Sequence, residues 1–346
     1  MSSRAVRSSA PDQAPPLPKP GQDPLPSVAV VVPTRDRADL LARSLDAVLA
    51  DEATTEAVVV VDGSDPETAE LLGRLAQSDK RVRITSTPAE PAELGRVQRA
   101  RDHGVSLADS EVVLSMDDDV VAEPGLVSGH ARHHLGTENL VVVGYMPVAT
   151  PRRWPRTHAQ ILHYAEAYEH TVHSYAEDRE LILRNLWGGN FSLRRADWLR
   201  VIDGPRLNSY LDDKELGLRL LRQGLSGEFD SSLRAEHFYE RSLRGLVERD
   251  RKNAIAQTEL RAAFPEGEAS VFDAAPPDPA MQFLIRLSSW APSWFVVKWG
   301  LIALTSAAAA LRIAPLERRG VTALSMLAWT RTARSLLDTR STDPAA

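Results

Sequence analysis

From Val28 the chain alternates short apolar runs with amphipathic stretches. Val28-Ala29-Val30-Val31-Val32 is followed by a stretch with Leu40, Leu41, Leu45, Val48 and Leu49 on one stripe, and Val58-Val59-Val60-Val61 by one with Leu71, Leu72 and Leu75. A weaker run, Val82-Arg83-Ile84, precedes a helical pattern through Leu94, Val97 and Arg101, and a fourth, Val112-Val113-Leu114, ends at Met116. Near-continuous β-branched runs without alternation are the pattern of strands covered on both faces. Their alternation with helices predicts an α/β fold, a parallel sheet with helices on both sides. Asp65-Pro66-Glu67 carries a capping acid, a proline for the first helical position and a first-turn acid. Asp36 and Asp39 have the spacing of a capping box. Beyond about Pro151 the pattern loosens, with helices expected near Ala159–Tyr175, Leu211–Arg222 and Leu243–Ala263, and no internal repeat is visible.

The ends read differently. The first 26 residues hold Pro11, Pro15, Pro16, Pro18, Pro20, Pro24 and Pro26 with almost no large apolar side chain, the composition of a disordered leader without the apolar core of a secretory signal. The residues from about Thr339 read as a loose tail. The expected organisation is a leader over 1–26, a catalytic domain over 27–263, a helical extension over 264–338 and a tail over 339–346. Within the extension, the run from Trp294 to Ile313 is the most apolar of the chain and is interrupted by Lys298. Its uncharged part, Trp299 to Leu311, is short for a bilayer crossing, which takes about 20 residues. A buried helix is one reading. The other is a helix lying on a membrane surface, because Trp290, Trp294, Trp299 and Trp329 are flanked by Arg312, Arg318, Arg319, Arg331 and Arg334.

Composition narrows the chemistry. The 346 residues are 43% hydrophobic and 25% charged, ordinary for a globular chain. A net charge of −6 argues against a nucleic-acid partner, which would need a basic surface. The absence of cysteine excludes disulfide scaffolds, Cys-zinc sites, iron–sulfur clusters and thiol nucleophiles. Any metal must be held by carboxylate oxygen or imidazole nitrogen.

In open α/β sheets ligands bind beyond the carboxyl ends of the strands. Here those ends read Pro33-Thr34-Arg35-Asp36, Asp62-Gly63-Ser64-Asp65 and Asp117-Asp118-Asp119. Such acids repel bare phosphates unless a divalent cation intervenes. Asp117 and Asp119, two residues apart where a strand ends, can turn towards one point and hold a hard cation whose shell is completed by water and substrate phosphate. An isolated acidic triplet is otherwise a solvated turn.

These segments resemble the family 2 glycosyltransferases, which adopt the GT-A fold, a mixed, mostly parallel sheet with helices on both faces. The resemblance spans about Val28 to Asn253. It rests on Val30-Val31-Val32-Pro33-Thr34-Arg35-Asp36-Arg37, Val60-Val61-Asp62-Gly63-Ser64-Asp65, Ala100-Arg101-Asp102-His103-Gly104, Leu114-Ser115-Met116-Asp117-Asp118-Asp119, Gly188-Gly189-Asn190-Phe191-Ser192-Leu193-Arg194-Arg195 and Leu211-Asp212-Asp213-Lys214-Glu215-Leu216-Gly217. It implies a nucleotide-sugar site formed by Pro33, Thr34, Arg35, Asp36, Asp62, Arg101, Asp117, Asp118, Gly189, Asn190 and Asp212. Within it Thr34 and Asp36 line the nucleoside pocket and Asp62 bonds the base or ribose. Asp117 and Asp119 match the family's DxD pair, Asp213 the catalytic base, and His237 a histidine that joins Asp117 and Asp119 at the metal, Mn2+ or Mg2+. Two positions depart from the family: Gly63 replaces a second acid, and Asp102 stands where Asn is usual.

The implied reaction is an inverting, metal-dependent transfer from a UDP-, GDP- or dTDP-linked sugar to a hydroxyl on a sugar, lipid-linked or small-molecule acceptor. Sugar-nucleotide use sets the expectation of a cytoplasmic protein, at the inner face of the cell membrane if 290–334 touch it. Asp212 and Asp213 have a plainer reading as a cap and first-turn acid, and Gly188-Gly189-Asn190 one as a turn before a Phe191-Ser192-Leu193 strand. His130, His133, His134, His158, His163, His170 and His173 read as solvated surface. Rival functions are a nucleotidyltransferase, disfavoured because Val32-Pro33-Thr34-Arg35 has no glycine-rich phosphate loop, and a non-catalytic sugar-nucleotide binder, disfavoured by the Asp213 match. A dehydrogenase would need Gly-x-Gly-x-x-Gly after the first strand.

Overall fold

A computed structural model describes residues 24–63, 65–87, 95–150, 158–204, 206–207, 210–265, 279–288 and 291–341. The leader up to residue 23, Leu94, Trp290 and the last five residues lie outside the described residues.

The first half follows the apolar runs. Strands β1 (Val28–Thr34), β2 (Thr54–Val61), β3 (Val82–Ser86) and β4 (Val112–Met116) alternate with helices α1 (Ala38–Leu49), α2 (Pro66–Ser78) and α3 (Arg96–Leu107). β1 and β4 are buried along their whole length, as their unalternating sequences require. Asp65 caps α2 by accepting the Thr68 N–H at 2.9 Å, as expected. The cap expected at Asp36 is not made: α1 starts at Arg37, which makes no side-chain cap bond, and Asp36 takes φ 55° in the turn before it.

The second half adds strands β5 (Val120–Ala122), β6 (Leu140–Tyr145), β7 (Asn190–Arg194) and β8 (Ser226–His237), and helices α4 (Leu126–His133), α5 (Ala159–Glu177), α6 (Glu180–Arg184), α7 (Arg195–Ile202), α8 (Asp212–Arg222) and α9 (Leu243–Ala263). One sheet orders the strands β3-β2-β1-β4-β7-β6-β8-β5. The β1–β2, β2–β3, β1–β4 and β6–β8 pairs are parallel, whereas β7 runs antiparallel to both β4 and β6, and β5 to β8. The parallel pattern read from the apolar runs is the β3-β2-β1-β4 half, and the whole is the expected mixed, mostly parallel sheet.

Two antiparallel pairings build the site. Asn190 lies opposite Met116, so the loop before β7 meets the acids after β4. His237 lies opposite Val120, which sets it against Asp119 across 118 residues of sequence.

α8 is seated closely. A Cβ on Gly217 would stand 2.1 Å from the Leu183 carbonyl oxygen, a backbone atom of the last turn of α6. Gly217→Ala is expected to lower stability by about 1–3 kcal/mol, the usual cost of overpacking, and to displace the first turn of α8. A thermal melt unchanged from wild type would contradict this packing.

Helices α10 (Pro279–Leu287), α11 (Ala291–Ala310) and α12 (Ala314–Ser341) form the extension, which carries α12 into the expected tail. α12 packs on α9 and α5 through Leu243, Leu246, Val321 and Leu324. Its buried Glu317 accepts the N–H groups of His158 and Ala159 at the start of α5, at 2.9 and 3.0 Å. α11 packs on α12 but is not the buried helix of the first reading. Its window Ser293–Ala310 is long and apolar enough to cross a membrane by length and composition, with 17% of it buried, and Phe295, Val296 and Leu304 are each more than 60% exposed.

Candidate functional site

β1 and β4 are neighbours, so the segments that follow them face each other. Thr34 at the end of β1 donates its hydroxyl to Asp118 at 2.9 Å, and the Arg35 N–H adds a 3.3 Å bond to the same carboxylate. Burial nevertheless pushes the Asp118 carboxyl up to about 6. Pro33 is a buried member of β1, and Asp36 is open to solvent beside Arg35. Asp62 after β2 is held by Arg96 at 2.5 Å.

Asp117 has a different partner. Its carboxylate accepts Arg101 from α3 at 2.6 Å, and Arg101 is buried. Its guanidinium stays charged there because Asp117, Asp212 and Asp213 outweigh the cost of desolvation. Asp212 and Asp213 begin α8. Asp212 accepts the Gln98 and Asp213 N–H groups, and Asp213 accepts the N–H of Gly188 through Oδ2 and that of Lys214 through Oδ1. Neither acid is the helix cap, which is Leu211. Burial raises both carboxyls above the ordinary range. The loop before β7 joins these groups. Gly188 bonds Asp213 and leaves room for Arg101, and Gly189, at φ 108°, carries no Cβ to strike Asp117 Oδ2, which would lie 2.7 Å away. The chain thus gathers Asp117, Arg101, Asp212, Asp213 and Gly188 at one end of the sheet.

Asp119 faces the other way, towards His237 Nε2 at 3.5 Å and Arg37 Nη1 at 2.5 Å. Burial opposes its ionisation, but His237 and Arg37 more than compensate, and its carboxyl lies below the usual range. The His237 ring stands edge-on to Tyr164 and Tyr239, which stack with centroids 3.8 Å apart, and Trp187 donates to the Tyr164 hydroxyl. A buried carboxylate and an aromatic-braced imidazole suit a hard or Mn-like cation. Among the described residues no group of three or more His, Asp or Glu converges on a metal position. Asp119 and His237, 3.5 Å apart, are the two side chains that would hold such a cation, whereas Asp117 turns to Arg101.

Asp102, which stands where Asn is usual in the family, accepts Gln98, Trp198 and Arg206 at 2.7–2.8 Å and ties α3 to α7. One expectation needs correction. His130 and His134 are buried, not solvated. The His130 ring bonds Ser192 and Asn190, the His134 ring reaches the same Ser192 hydroxyl, and Asn190 donates to Leu233 O. Burial pushes the two imidazoles down to about 4 and about 3. Below the free histidine value of about 6.5 the unfolded chain takes up protons that the folded chain refuses, so these groups lose stability as pH falls from about 6.5 to about 4. The raised carboxyls Asp118 and Asp212 act in the opposite sense. The histidine contribution therefore appears as a difference: His134→Gln is expected to flatten the acid side of the stability curve relative to wild type. Denaturant titrations between pH 4.5 and 7 measure it, and parallel curves would contradict it.

Residues 29–198 match the family model described as Glycosyl transferase family 2. The chain belongs to the family 2 glycosyltransferases. No curated protein matches this glycosyltransferase. Among solved structures it is similar to the mannosyltransferase PcManGT from Pyrobaculum calidifontis, in complex with GDP-Man and Mn2+, at 16% identity and a TM-score of 0.55, covering 92% of this chain and 88% of that one. The shared fold is GT-A, with the C-terminal helices present. A cavity of about 500 Å3 lies beside α5 and is lined by Tyr145, Glu169, His170, His173 and Phe229. None of the strand-end acids borders it. Sequence reasoning missed Arg37 and the aromatic brace of Tyr164, Trp187 and Tyr239; Trp187 before Gly188-Gly189 was the available signal for the second.

Proposed function

We propose that this glycosyltransferase moves a hexosyl group from a nucleoside-diphosphate donor to an acceptor hydroxyl with inversion, in a metal-dependent reaction. The observation that carries the reading is the half-buried Asp213 carboxylate. Both of its oxygens are held by backbone N–H groups and it lies beside Arg101 and Asp117, at the strand ends where the nucleotide is expected. Each oxygen retains a lone pair. The acceptor oxygen attacks the anomeric carbon, the bond from that carbon to the diphosphate oxygen breaks, and Asp213 takes the acceptor proton. One base acting opposite the leaving group inverts the anomeric carbon, as in the inverting glycosidases. Asp119 and His237 would hold Mn2+ or Mg2+, whose chemistry when bound is to neutralise the departing diphosphate. Thr34, Arg35 and Asp36 flank the nucleoside side, while Asn190 is buried against His130 and the Leu233 carbonyl, which fixes the strand that follows the Gly188-Gly189 loop.

The donor reading draws on the GDP-Man bound to the Pyrobaculum calidifontis mannosyltransferase and keeps UDP- and dTDP-linked sugars beside GDP-mannose. A thermal-shift screen of these donors with and without Mn2+ tests it, because a ligand of the folded state alone must raise the melting temperature. A shift with one nucleotide class that grows with Mn2+ supports the reading. No shift with any donor contradicts it.

The extension supports contact with the inner face of a membrane by a cytoplasmic enzyme acting on a lipid-linked acceptor. Phe283, Phe295, Val296, Leu304, Leu311 and Leu316 are exposed, with Arg286, Lys298, Arg318 and Arg319 nearby in sequence. Flotation with vesicles of phosphatidylglycerol and phosphatidylcholine should carry the protein upward, and Phe295→Asp with Leu304→Asp should release it. Protein left at the bottom with wild-type sequence overturns the membrane reading.

A further inference from the structure

Arg37 has a place that the reaction as described leaves unused. Its Nη1 stands 3.1 Å from Asp118 Oδ1 and 2.5 Å from Asp119 Oδ2, one cation across two adjacent acids. The two carboxylates are about nine-tenths buried, whereas the Arg37 side chain is 48% exposed. Buried carboxylates need a cation or a proton, and a guanidinium, charged at any working pH, supplies one. The backbone explains why it is this residue. Asp36 at φ 55° reverses the chain after β1, and Arg37 at the start of α1 uses its side chain for no cap bond, so the guanidinium is aimed back over the acids on a free stem.

We propose that Arg37 is a tethered counter-cation for Asp118 and Asp119, which yields Asp119 to a divalent ion when a diphosphate is present to receive the guanidinium. The proposal rests on the metal-dependent reading above and adds an order to it. Asp119 Oδ1 faces His237 Nε2 at 3.5 Å while Oδ2 holds Arg37, so a divalent ion between Asp119 and His237 would sit across one carboxylate from the guanidinium, and the two cations repel each other: the ion arriving alone binds against a cation the chain already holds. A nucleoside diphosphate offers Arg37 an anion that it binds well, in fork-like geometry. Metal and donor thereby bind with positive coupling, and by linkage each raises the other's affinity by the same factor. The free enzyme is kept from filling its acid site with a metal that has no donor to act on.

The experiment is an electron paramagnetic resonance titration of Mn2+ with wild type, Arg37→Gln and Arg37→Lys, each with and without UDP and GDP. Wild type should bind Mn2+ weakly alone and more tightly with whichever nucleotide it accepts. R37Q should bind Mn2+ alone roughly tenfold more tightly, the scale expected for freeing buried acids from a half-exposed partner, and should show a smaller nucleotide effect. R37K, which keeps the charge, should stay near wild type. Mn2+ affinity in R37Q equal to or weaker than wild type, in a variant with an unchanged melting curve, overturns the proposal, as does tight binding of Mn2+ to wild type without nucleotide. Turnover of a sugar nucleotide is read separately. Its absence counts against the proposed reaction, while the Mn2+ titration alone decides the role of Arg37.

Discussion

Asp213→Asn is expected to lower the rate of sugar transfer by about 10²–10⁴-fold, the range for loss of a general base, and to leave nucleotide affinity within a few-fold of wild type. Asn preserves the shape and one accepting oxygen for the Gly188 or Lys214 N–H, so the loop before β7 and the first turn of α8 keep their positions. What is removed is the lone pair that takes the acceptor proton. The pH profile provides a second readout. Burial raises both acids, and Asp212, with Asp213 beside it, is pushed up to about 7. Wild-type kcat/KM should therefore still be rising with pH above the range where ordinary carboxylates have lost their protons. Steady-state kinetics of the two proteins with the donor found in the thermal screen measure both effects. Normal turnover in the Asn variant would remove Asp213 from the mechanism.

Arg101→Met should have the largest effect on stability of any single change near the site. Arg101 is the buried cation facing Asp117, Asp212 and Asp213, and Met keeps its apolar stem without the charged guanidinium. Removing one partner of a buried ionic group leaves its counter-charges without compensation and costs about 3–5 kcal/mol. The three acids then relieve their repulsion by taking up protons, so the loss should be smaller at pH 5 than at pH 7.5. That pH dependence separates a charge effect from a cavity effect, which would be the same at both. Chemical denaturation at the two pH values is the measurement, and equal losses would show that Arg101 acts by packing alone.

The parts of the fold that were legible are those set by local pattern. The apolar runs of β1, β2 and β4, the cap of α2 and the stripes of α1, α2 and α8 follow from nearest-neighbour chemistry, and so the parallel half of the sheet could be read. The Leu140–Tyr145 run of β6 was visible but was not assigned, because its neighbours in the sheet come from β7 and β8, far along the chain. β8 could not be read as a strand at all: Asp230, Ser231, Ser232 and Arg234 interrupt its buried positions, and the register shifts at Gly144/Tyr145. The same reason governs the site. Asp117, Asp119 and Asp213 were found as strand-end and helix-start acids, but their partners depend on antiparallel pairing. Which acid meets Arg101 and which meets His237 follows from β4 against β7 and β5 against β8. His130 on α4 and His134 at its C-cap, four residues apart and on the stripe of Val127 and Ala131, carried a usable helical signal for burial, and only the absence of a visible partner suggested solvent. Arg37 gave no signal, since a charged residue after a strand is ordinary until two buried acids are found beneath it.

The central claim, that a cation held at Asp119 and His237 lets a diphosphate leave a sugar with Asp213 as base, is tested most directly by 1H and 31P NMR of the protein with a sugar nucleotide and Mg2+, water serving as acceptor. The account predicts slow metal-dependent release of the nucleoside diphosphate together with a first-formed sugar of inverted anomeric configuration, both lost in Asp213→Asn. Release without metal at the same rate, or a sugar that first appears with retained configuration, would contradict it.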